Sequence, residues 1–220
     1  LIDLLEEINQ IKGIERIRLG SLELTPEMDK IANMASKLPK LCPHFHMSLQ
    51  SGSDTVLKRM NRRYSAEEYL LAAEKLKRAF DGAAITTDIM VGFPGETEKE
   101  FEESRKFAEK VGFAKVHVFP YSPRKGTVAA NMLDQVAEEV KKIRAKKMQQ
   151  TAAKLEKDFY KYYIGKELNV LFEREVSENV YEGHAENYIL VQRKSANDLS
   201  GKILKVKTSG VSGKALISKE

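Results

Sequence analysis

Four short stretches bring together side chains that could hold a polar ligand. In one, Asp88 stands four residues before the turn Gly92-Phe93-Pro94-Gly95-Glu96-Thr97. A carboxylate can accept two hydrogen bonds from ribose hydroxyls. Glycines let the backbone approach a ligand, and the first amides of a following helix face it; the same turn also fits a plain tight strand-to-helix connection. In another, Leu49-Gln50-Ser51-Gly52-Ser53-Asp54 offers Gln50, which both donates and accepts as a sugar or carboxylate partner must. Arg62 follows twelve residues later with a fork suited to a carboxylate, or to a solvated surface within the run Arg59–Arg63. Tyr121-Ser122-Pro123-Arg124-Lys125-Gly126-Thr127 presents an aromatic face, a hydroxyl and two cations to an anionic or base-bearing ligand, or forms a capped polar loop. Cys42-x-His44-x-His46 has metal-ligand residue types, but zinc ligands usually pair with a second cluster elsewhere, so a buried thiol and hydrogen-bonded imidazoles fit better.

These stretches lie where strand-like segments end. Leu1–Ile11 is amphipathic and stops before Gly13, and Ile14–Leu19 reads as a strand. Thr25-Pro26-Glu27 starts a helix that runs to Leu38, His44–Leu49 is strand-like, and Ser65-Ala66-Glu67-Glu68 is a capping box opening a helix to about Phe80. Ala84–Val91 is a strand, Thr97-Glu98-Lys99-Glu100 opens another capped helix to about Val111, and Lys115–Phe119 is a fourth strand. Strands separated by helices indicate βα units and a parallel sheet.

A parallel sheet covered on both faces should read as continuous Val, Ile and Leu. These strands instead alternate. His46, Ser48 and Gln50 share one face, as do Thr86, Asp88 and Met90, His117 and Phe119, and Arg16 and Arg18. Polar groups on one face of every strand would be unfavourable in a dry core. A barrel or half-barrel whose lumen holds a polar ligand removes the conflict, with the ligand at the C-terminal strand ends.

From Tyr163 the pattern changes. Ile164–Phe172, Val180–Ala185, Tyr188–Lys194, Lys202–Thr208 and Ala215–Ile217 read as five short strands joined by turns such as Ser212-Gly213. They suggest a small all-β barrel of the OB-like kind, a class that often binds nucleic acid on one face. The expected organisation is a half-barrel over residues 1–135, a basic connecting helix over 136–162 and a β-barrel over 163–220.

Composition agrees with a globular chain: 42% hydrophobic and 31% charged over 220 residues, enough to bury a core. Residues 1–135 are electrically neutral, and most of the net charge of +5 falls on 136–163, including Lys141, Lys142, Arg144, Lys146 and Lys147. Such a helix can steer toward a polyanion or simply present a solvated face. No apolar run approaches the roughly 20 residues that span a bilayer, and no leader pattern opens the chain, so membrane and secreted readings drop out and a cytoplasmic location is expected. Beginning at Leu1 in the middle of a helical pattern, the chain reads as a piece of something longer.

The phrases "CPHFHMSLQSGSDTVLKRMNRRY", "TTDIMVGFPGETEKEFE" and "VFPYSPRKGT", in this order, resemble the second half of the radical S-adenosylmethionine methylthiotransferases. The β-rich tail resembles their TRAM domain, a tRNA-binding module. Within the family, "CPHFHMSLQSGSD" and "EGHAENYILV" are most similar to the threonylcarbamoyladenosine tRNA enzymes. The isopentenyladenosine tRNA and ribosomal-protein S12 enzymes are sister branches.

The resemblance implies that Gln50, Arg62 and Asp88 hold the nucleoside and methionine ends of S-adenosylmethionine, with Glu23 near the methionyl part and backbone around Gly92 and Phe119 flanking adenine. Tyr121 and Arg124 are implied contacts to the tRNA base or the sulfur-donor site. The intact enzyme would use two 4Fe-4S clusters and transfer a methylthio group to C2 of adenosine 37 in the anticodon stem-loop. The first two βα units are missing, and cluster ligation needs thiolate triads that a single cysteine, Cys42, cannot supply. The chain alone is therefore expected to be inactive and to depend on N-terminal domains of the same enzyme. A stand-alone tRNA-binding protein without chemistry, or another βα-barrel enzyme using a nucleotide or sugar phosphate, are the rival readings.

Overall fold

The computed structural model describes residues 1–25, 27–34 and 37–219. Its first part runs α1 (Ile2–Gln10), β1 (Ser21–Leu22), α2 (Glu27–Asn33), β2 (His44–Met47), α3 (Asp54–Arg59), α4 (Ala66–Ala79), β3 (Ala84–Val91), α5 (Glu98–Val111) and β4 (Lys115–Pro120). The four strands are parallel and lie in the order β1-β2-β3-β4. This is the parallel sheet the alternation of strands and helices implies: part of a β/α barrel. Both expected capping boxes form, Ser65 with Glu68 at the start of α4 and Thr97 with Glu100 at the start of α5. Pro26 lies outside the described residues, as do Ala35 and Ser36 within the helix expected to reach Leu38.

The non-lumenal strand face supplies the core. Phe45, Met47, Leu49, Ile85, Ile89 and Val91 are buried against Tyr69, Leu76, Phe101, Phe113 and Met148 from the helices and their flanks. The sheet thus has one apolar face, and the helices of the outer layer cover it.

The segment Ile14–Leu19, expected as a strand, makes one isolated bridge, Ile17 to Leu41, and the paired strand sits later at Ser21–Leu22. The His44 amide explains the break: it turns back on the Cys42 carbonyl at 2.8 Å instead of continuing the ladder, while Pro43 faces β3, where its carbonyl accepts the Ala84 amide. The ladder resumes only where Ser21 meets His46.

Helix α6 (Glu138–Tyr162) packs along β4 and α5 and leads into β5 (Glu167–Ser177), β6 (Val180–Ala185), β7 (Leu190–Lys194), β8 (Ile203–Ser212) and β9 (Ala215–Ser218). These five strands close into a ring, β5-β6-β7-β9-β8, antiparallel except for β7 with β9. Val170, Phe172, Tyr181, Val191, Val206 and Leu216 fill it. Gly183 permits the tightest contact: a Cβ there would stand 1.9 Å from the Leu171 carbonyl oxygen and 2.5 Å from Phe172 Cα.

The cations of α6 do less at the surface than their number suggests. Arg144 is buried and donates to the Glu96 carbonyl at 2.9 Å and carboxylate at 3.0 Å, and its Nε lies 3.3 Å from Glu98. Lys147 pairs with Glu98 at 2.9 Å, and the buried Lys141 pairs with Glu138 at 2.7 Å. Of the five clustered cations, Arg144 and Lys147 thus tie α6 to the start of α5 and the turn before it, and Lys141 is buried with its charge met by Glu138 of the same helix.

Candidate functional site

The polar strand faces do converge. His46 bonds Thr86 Oγ1 through Nδ1 at 3.0 Å and stands 3.4 Å from the Asp88 carboxylate through Nε2. His117 pairs in register with Asp88, and its ring centre lies 6.0 Å from that of His46. Burial and the nearby Lys115 push the His117 imidazole below its ordinary range. Asp88 remains partly open to solvent, so its carboxylate can still accept hydrogen bonds from a ligand's hydroxyls.

Gln50 sits at the rim above Asp88. Its amide donates to the Asp88 carbonyl and its carbonyl accepts from Met90, both at 2.9 Å. The register shows how it gets there. His46 pairs with Thr86, yet Gln50 bridges Ile89, so one extra residue is accommodated in the chain after β2. This bulge is why the second strand, expected to reach Leu49, ends at Met47.

Three side chains satisfy the displaced backbone. The wholly buried Thr87 hydroxyl accepts the Leu49 amide at 3.0 Å and donates to the Met47 carbonyl at 2.6 Å. Tyr69 donates to the same Met47 carbonyl at 2.8 Å, and Tyr64 to the carbonyls of Ser48 and Leu49 at 2.8 and 2.9 Å. Burial pushes the Tyr69 and Tyr64 hydroxyls above their ordinary range, so both remain donors. Gln50 emerges from the bulge with φ +70°. A left-handed non-glycine residue costs about 1–3 kcal/mol and persists where its surroundings over-determine it.

Arg62 and Glu23 come together at the same end of the sheet, 3.9 Å apart, with Glu23 largely exposed. Phe119 pairs in register with Met90 and is half exposed. Gln50, Asp88, Arg62, Glu23 and Phe119 thus gather around the C-terminal strand ends, whereas Arg124 lies on the exposed loop beyond β4.

Two expected contacts are placed otherwise. The Gly92 amide is taken by Glu96 Oε2 at 2.7 Å, and the space a Cβ would need is occupied by Lys141, whose Cγ would be 2.5 Å away. With φ +72°, Gly92 serves the tight turn and the close passage of α6. Burial raises the Glu96 carboxyl against the pull of the Gly92 amide and Arg144. Tyr121 is buried rather than turned to a substrate: it packs edge-on against Phe93 at 5.4 Å in a cluster with Val56, and its hydroxyl has no partner.

Cys42 is buried, and burial raises its thiol, which disfavours the thiolate a metal cluster needs. His44 is buried as well, but its Nδ1 has no hydrogen-bond partner, contrary to the hydrogen-bonded imidazole expected. Burial first, then the Arg18 and His46 charges, pulls its pKa down to about 4.

A second set of contacts joins the β-barrel to the sheet. Arg16 donates to the carbonyls of His184 and Asn169 at 3.0 and 2.8 Å. Arg18 lies 3.7 Å over the Tyr188 ring, which stacks on His184 with centres 4.2 Å apart. Between them lies a cavity of about 610 Å³, bounded by the lumenal strand face, the last turns of α6 and the β6–β7 turn. All four histidines of the chain line it. The alternating strand pattern signals its His46–Asp88–His117 wall; nothing local in the sequence signals the packing of Arg18 on Tyr188, 170 residues apart, or the Thr87 clamp, whose partners lie 38 and 40 residues away.

The Radical SAM superfamily model matches residues 1–108. Threonylcarbamoyladenosine tRNA methylthiotransferase MtaB of Bacillus subtilis is 41% identical over 209 residues, covering 93% of this chain and 46% of that protein. The tRNA-2-methylthio-N(6)-dimethylallyladenosine synthase of Acetivibrio thermocellus is 37% identical over 211 residues, covering 95% of this chain and 44% of that protein. The chain therefore spans about half the length of these relatives. Among solved structures, coproporphyrinogen III oxidase of Escherichia coli, a radical SAM enzyme, superimposes with a TM-score of 0.56 at 11% identity, covering 84% of this chain and 50% of that one. That likeness is one of fold.

Proposed function

The chain belongs to the radical S-adenosylmethionine methylthiotransferase family, and we propose that it forms the part of a tRNA methylthiotransferase that cradles the cofactor and grips the RNA. The substrate in this reading is N6-threonylcarbamoyladenosine at position 37, presented by the anticodon stem-loop in the cytoplasm. Residues 1–135 act as the C-terminal part of the radical SAM half-barrel, 136–162 as the connecting helix and 163–220 as an OB-like TRAM barrel for RNA.

The observation that carries the reading is the left-handed Gln50 held at the strand rim directly above Asp88. In this arrangement Asp88 accepts the ribose hydroxyls, and Gln50 adds a donor and an acceptor beside them. Arg62 pairs with the methionyl carboxylate and Glu23 with its ammonium group. Phe119 covers one side of the adenine, and Arg124 contacts the tRNA base or the sulfur-donor site. S-adenosylmethionine, when bound, supplies the radical and the methyl group; the residues of this chain bind, orient and exclude water. Cys42 does not fit a cluster, so the two 4Fe-4S clusters would be held by cysteines in other domains of the enzyme, and this chain alone is inactive.

Two measurements on the full-length protein test the proposal. Removing a carboxylate that accepts charge-assisted hydrogen bonds costs about 1.5–3 kcal/mol, so Asp88→Ala should weaken S-adenosylmethionine binding by about 10- to 100-fold in calorimetry. Unchanged affinity removes Asp88 from the cradle. Mass spectrometry of tRNA nucleosides from a deletion strain should show loss of the methylthio group from threonylcarbamoyladenosine. Loss from the dimethylallyl nucleoside instead would assign the chain to the sister branch, which the similarity to the Acetivibrio thermocellus protein keeps in play.

A further inference from the structure

The cavity at the foot of the lumen has a chemistry that the cofactor cradle does not use. Asp88 and Phe119 stand on its wall, while Gln50, Arg62 and Glu23 lie outside it. Its other walls are His44, His46 and Thr86 from β2 and β3, Lys115 and His117 from β4, Glu156 and Phe159 from α6, and Asn187 and Tyr188 from the β6–β7 turn. A volume of about 610 Å³ lies within the range typical of small-ligand sites, roughly 300–1,000 Å³.

Three cations line it: Arg18, Lys115 and Lys214. Among the described residues none of them has a carboxylate within ion-pair distance; Arg18 spends only its flat face, on Tyr188. The carboxylates on the wall are Asp88, which is beside His46, and Glu156. His44 contributes its ring to the wall, with its unpartnered Nδ1 turned away from the open space. The site therefore offers unspent positive charge next to a carboxylate poised for the cofactor.

We propose that this cavity receives the carboxylate-bearing side chain on N6 of the substrate adenosine, with Lys115, Arg18 and Lys214 setting specificity for an acidic substituent. The proposal rests on the tRNA reading above and deepens it. A threonylcarbamoyl group ends in a carboxylate and a hydroxyl and carries a urea, so its carboxylate can answer the cations. A dimethylallyl group has no polar atom and leaves all of them without a partner. Arg18 also holds Tyr188, so this substituent site is built jointly by the half-barrel and the β-barrel.

The test uses the full-length protein and fluorescently labelled anticodon stem-loops carrying threonylcarbamoyladenosine, its methyl ester, dimethylallyladenosine or unmodified adenosine at position 37. Charge-assisted hydrogen bonds of this kind separate ligands by about tenfold or more. The free acid should therefore bind at least about tenfold tighter than its ester by anisotropy. Lys115→Ala, at an exposed position without an ion-pair partner, should bring acid and ester within about twofold of each other, and Lys115→Arg should restore the gap. Lys214→Ala should narrow it as well. Equal binding of acid and ester by the unaltered protein overturns the proposal. So does a Lys115→Ala protein that binds all four loops more weakly by one common factor, since that is general phosphate attraction. Either result leaves the cofactor reading standing if Asp88→Ala still loses S-adenosylmethionine; the reverse pattern would retain this site and remove Asp88 from the cradle.

Discussion

Thr87→Val removes one hydroxyl and keeps the side-chain shape, so it isolates the clamp on the bulge that carries Gln50. The hydroxyl is wholly buried and is the hydrogen-bond partner of the Leu49 amide, 3.0 Å away. The Met47 carbonyl, its other partner, keeps the Tyr69 hydroxyl at 2.8 Å and should lose little. The cost is therefore that of one orphaned buried amide, about 1–3 kcal/mol. For a chain of this size each kcal/mol lowers the melting temperature by about 2–4 °C, so a 2 kcal/mol loss should appear as about 4–8 °C. Thr87→Ser retains the hydroxyl and should recover most of it. Thermal and urea unfolding measure both variants. A Thr87→Val protein that melts within about 1 °C of Thr87→Ser would show that the backbone finds another partner, and the account of the bulge would fail. If stability drops as expected, the full-length variant should also bind S-adenosylmethionine more weakly, because the chain entering Gln50 is no longer fixed.

Glu100 gives a prediction in pH. Burial disfavours its carboxylate, but hydrogen bonds from Arg59, Thr55 and Thr97 outweigh that and hold its pKa at about 2 rather than 4.5. A folded pKa below the unfolded one means stability present above about pH 4.5 and lost as pH falls toward 2. The difference in unfolding midpoint between the unaltered protein and Glu100→Gln should therefore shrink across that interval; a constant difference would rule the linkage out. Gly183→Ala places a methyl group against main-chain atoms of β5 that no rotamer change can move. It should cost at least about 3 kcal/mol, the upper end of overpacking penalties. A loss below about 1 kcal/mol in urea unfolding would mean that β5 and β6 separate freely there.

Much of the half-barrel is legible in the sequence because its signals are local. The two capping boxes and the strand alternation each lie within a few residues, and they locate α4, α5, β3 and the lumenal face correctly. The first two strands are misjudged where one residue acts against the pattern. The His44 amide turns back on the Cys42 carbonyl and reduces Ile14–Leu19 to a bridge, and the Thr87 hydroxyl captures the Leu49 amide and ends β2 early. Tyr121 and Gly92 look like ligand contacts because a loop tyrosine and a G-x-P-G turn have the right chemistry. Their burial is decided by Phe93 in one case and Lys141 in the other, and a pattern of residue types does not encode that packing. The positive segment misleads for a similar reason: Glu96, Glu98 and Glu138 neutralise much of it, two of them more than forty residues away in sequence.

The seam between the two parts bears on how the molecule works. Arg16 would be a costly polar group on a sheet face if left alone, yet it donates to two carbonyls of the β-barrel. Tyr163, at the end of α6, donates to the Gly82 carbonyl just before β3 at 2.8 Å. The β-barrel is thus joined to the sheet before β1, and α6 to the chain before β3, and Tyr188 of the β-barrel completes a wall of the cavity that Asp88 also borders. Any shift of the β-barrel therefore changes the cavity and breaks Arg16 or Arg18 contacts at the same time. If the β-barrel grips RNA and the half-barrel holds the cofactor, as proposed above, this shared wall makes RNA position and substrate fit one structural variable. A hinge between the two parts would need those contacts to be dispensable, and Arg16, with both its carbonyl partners in the β-barrel, argues that they are not.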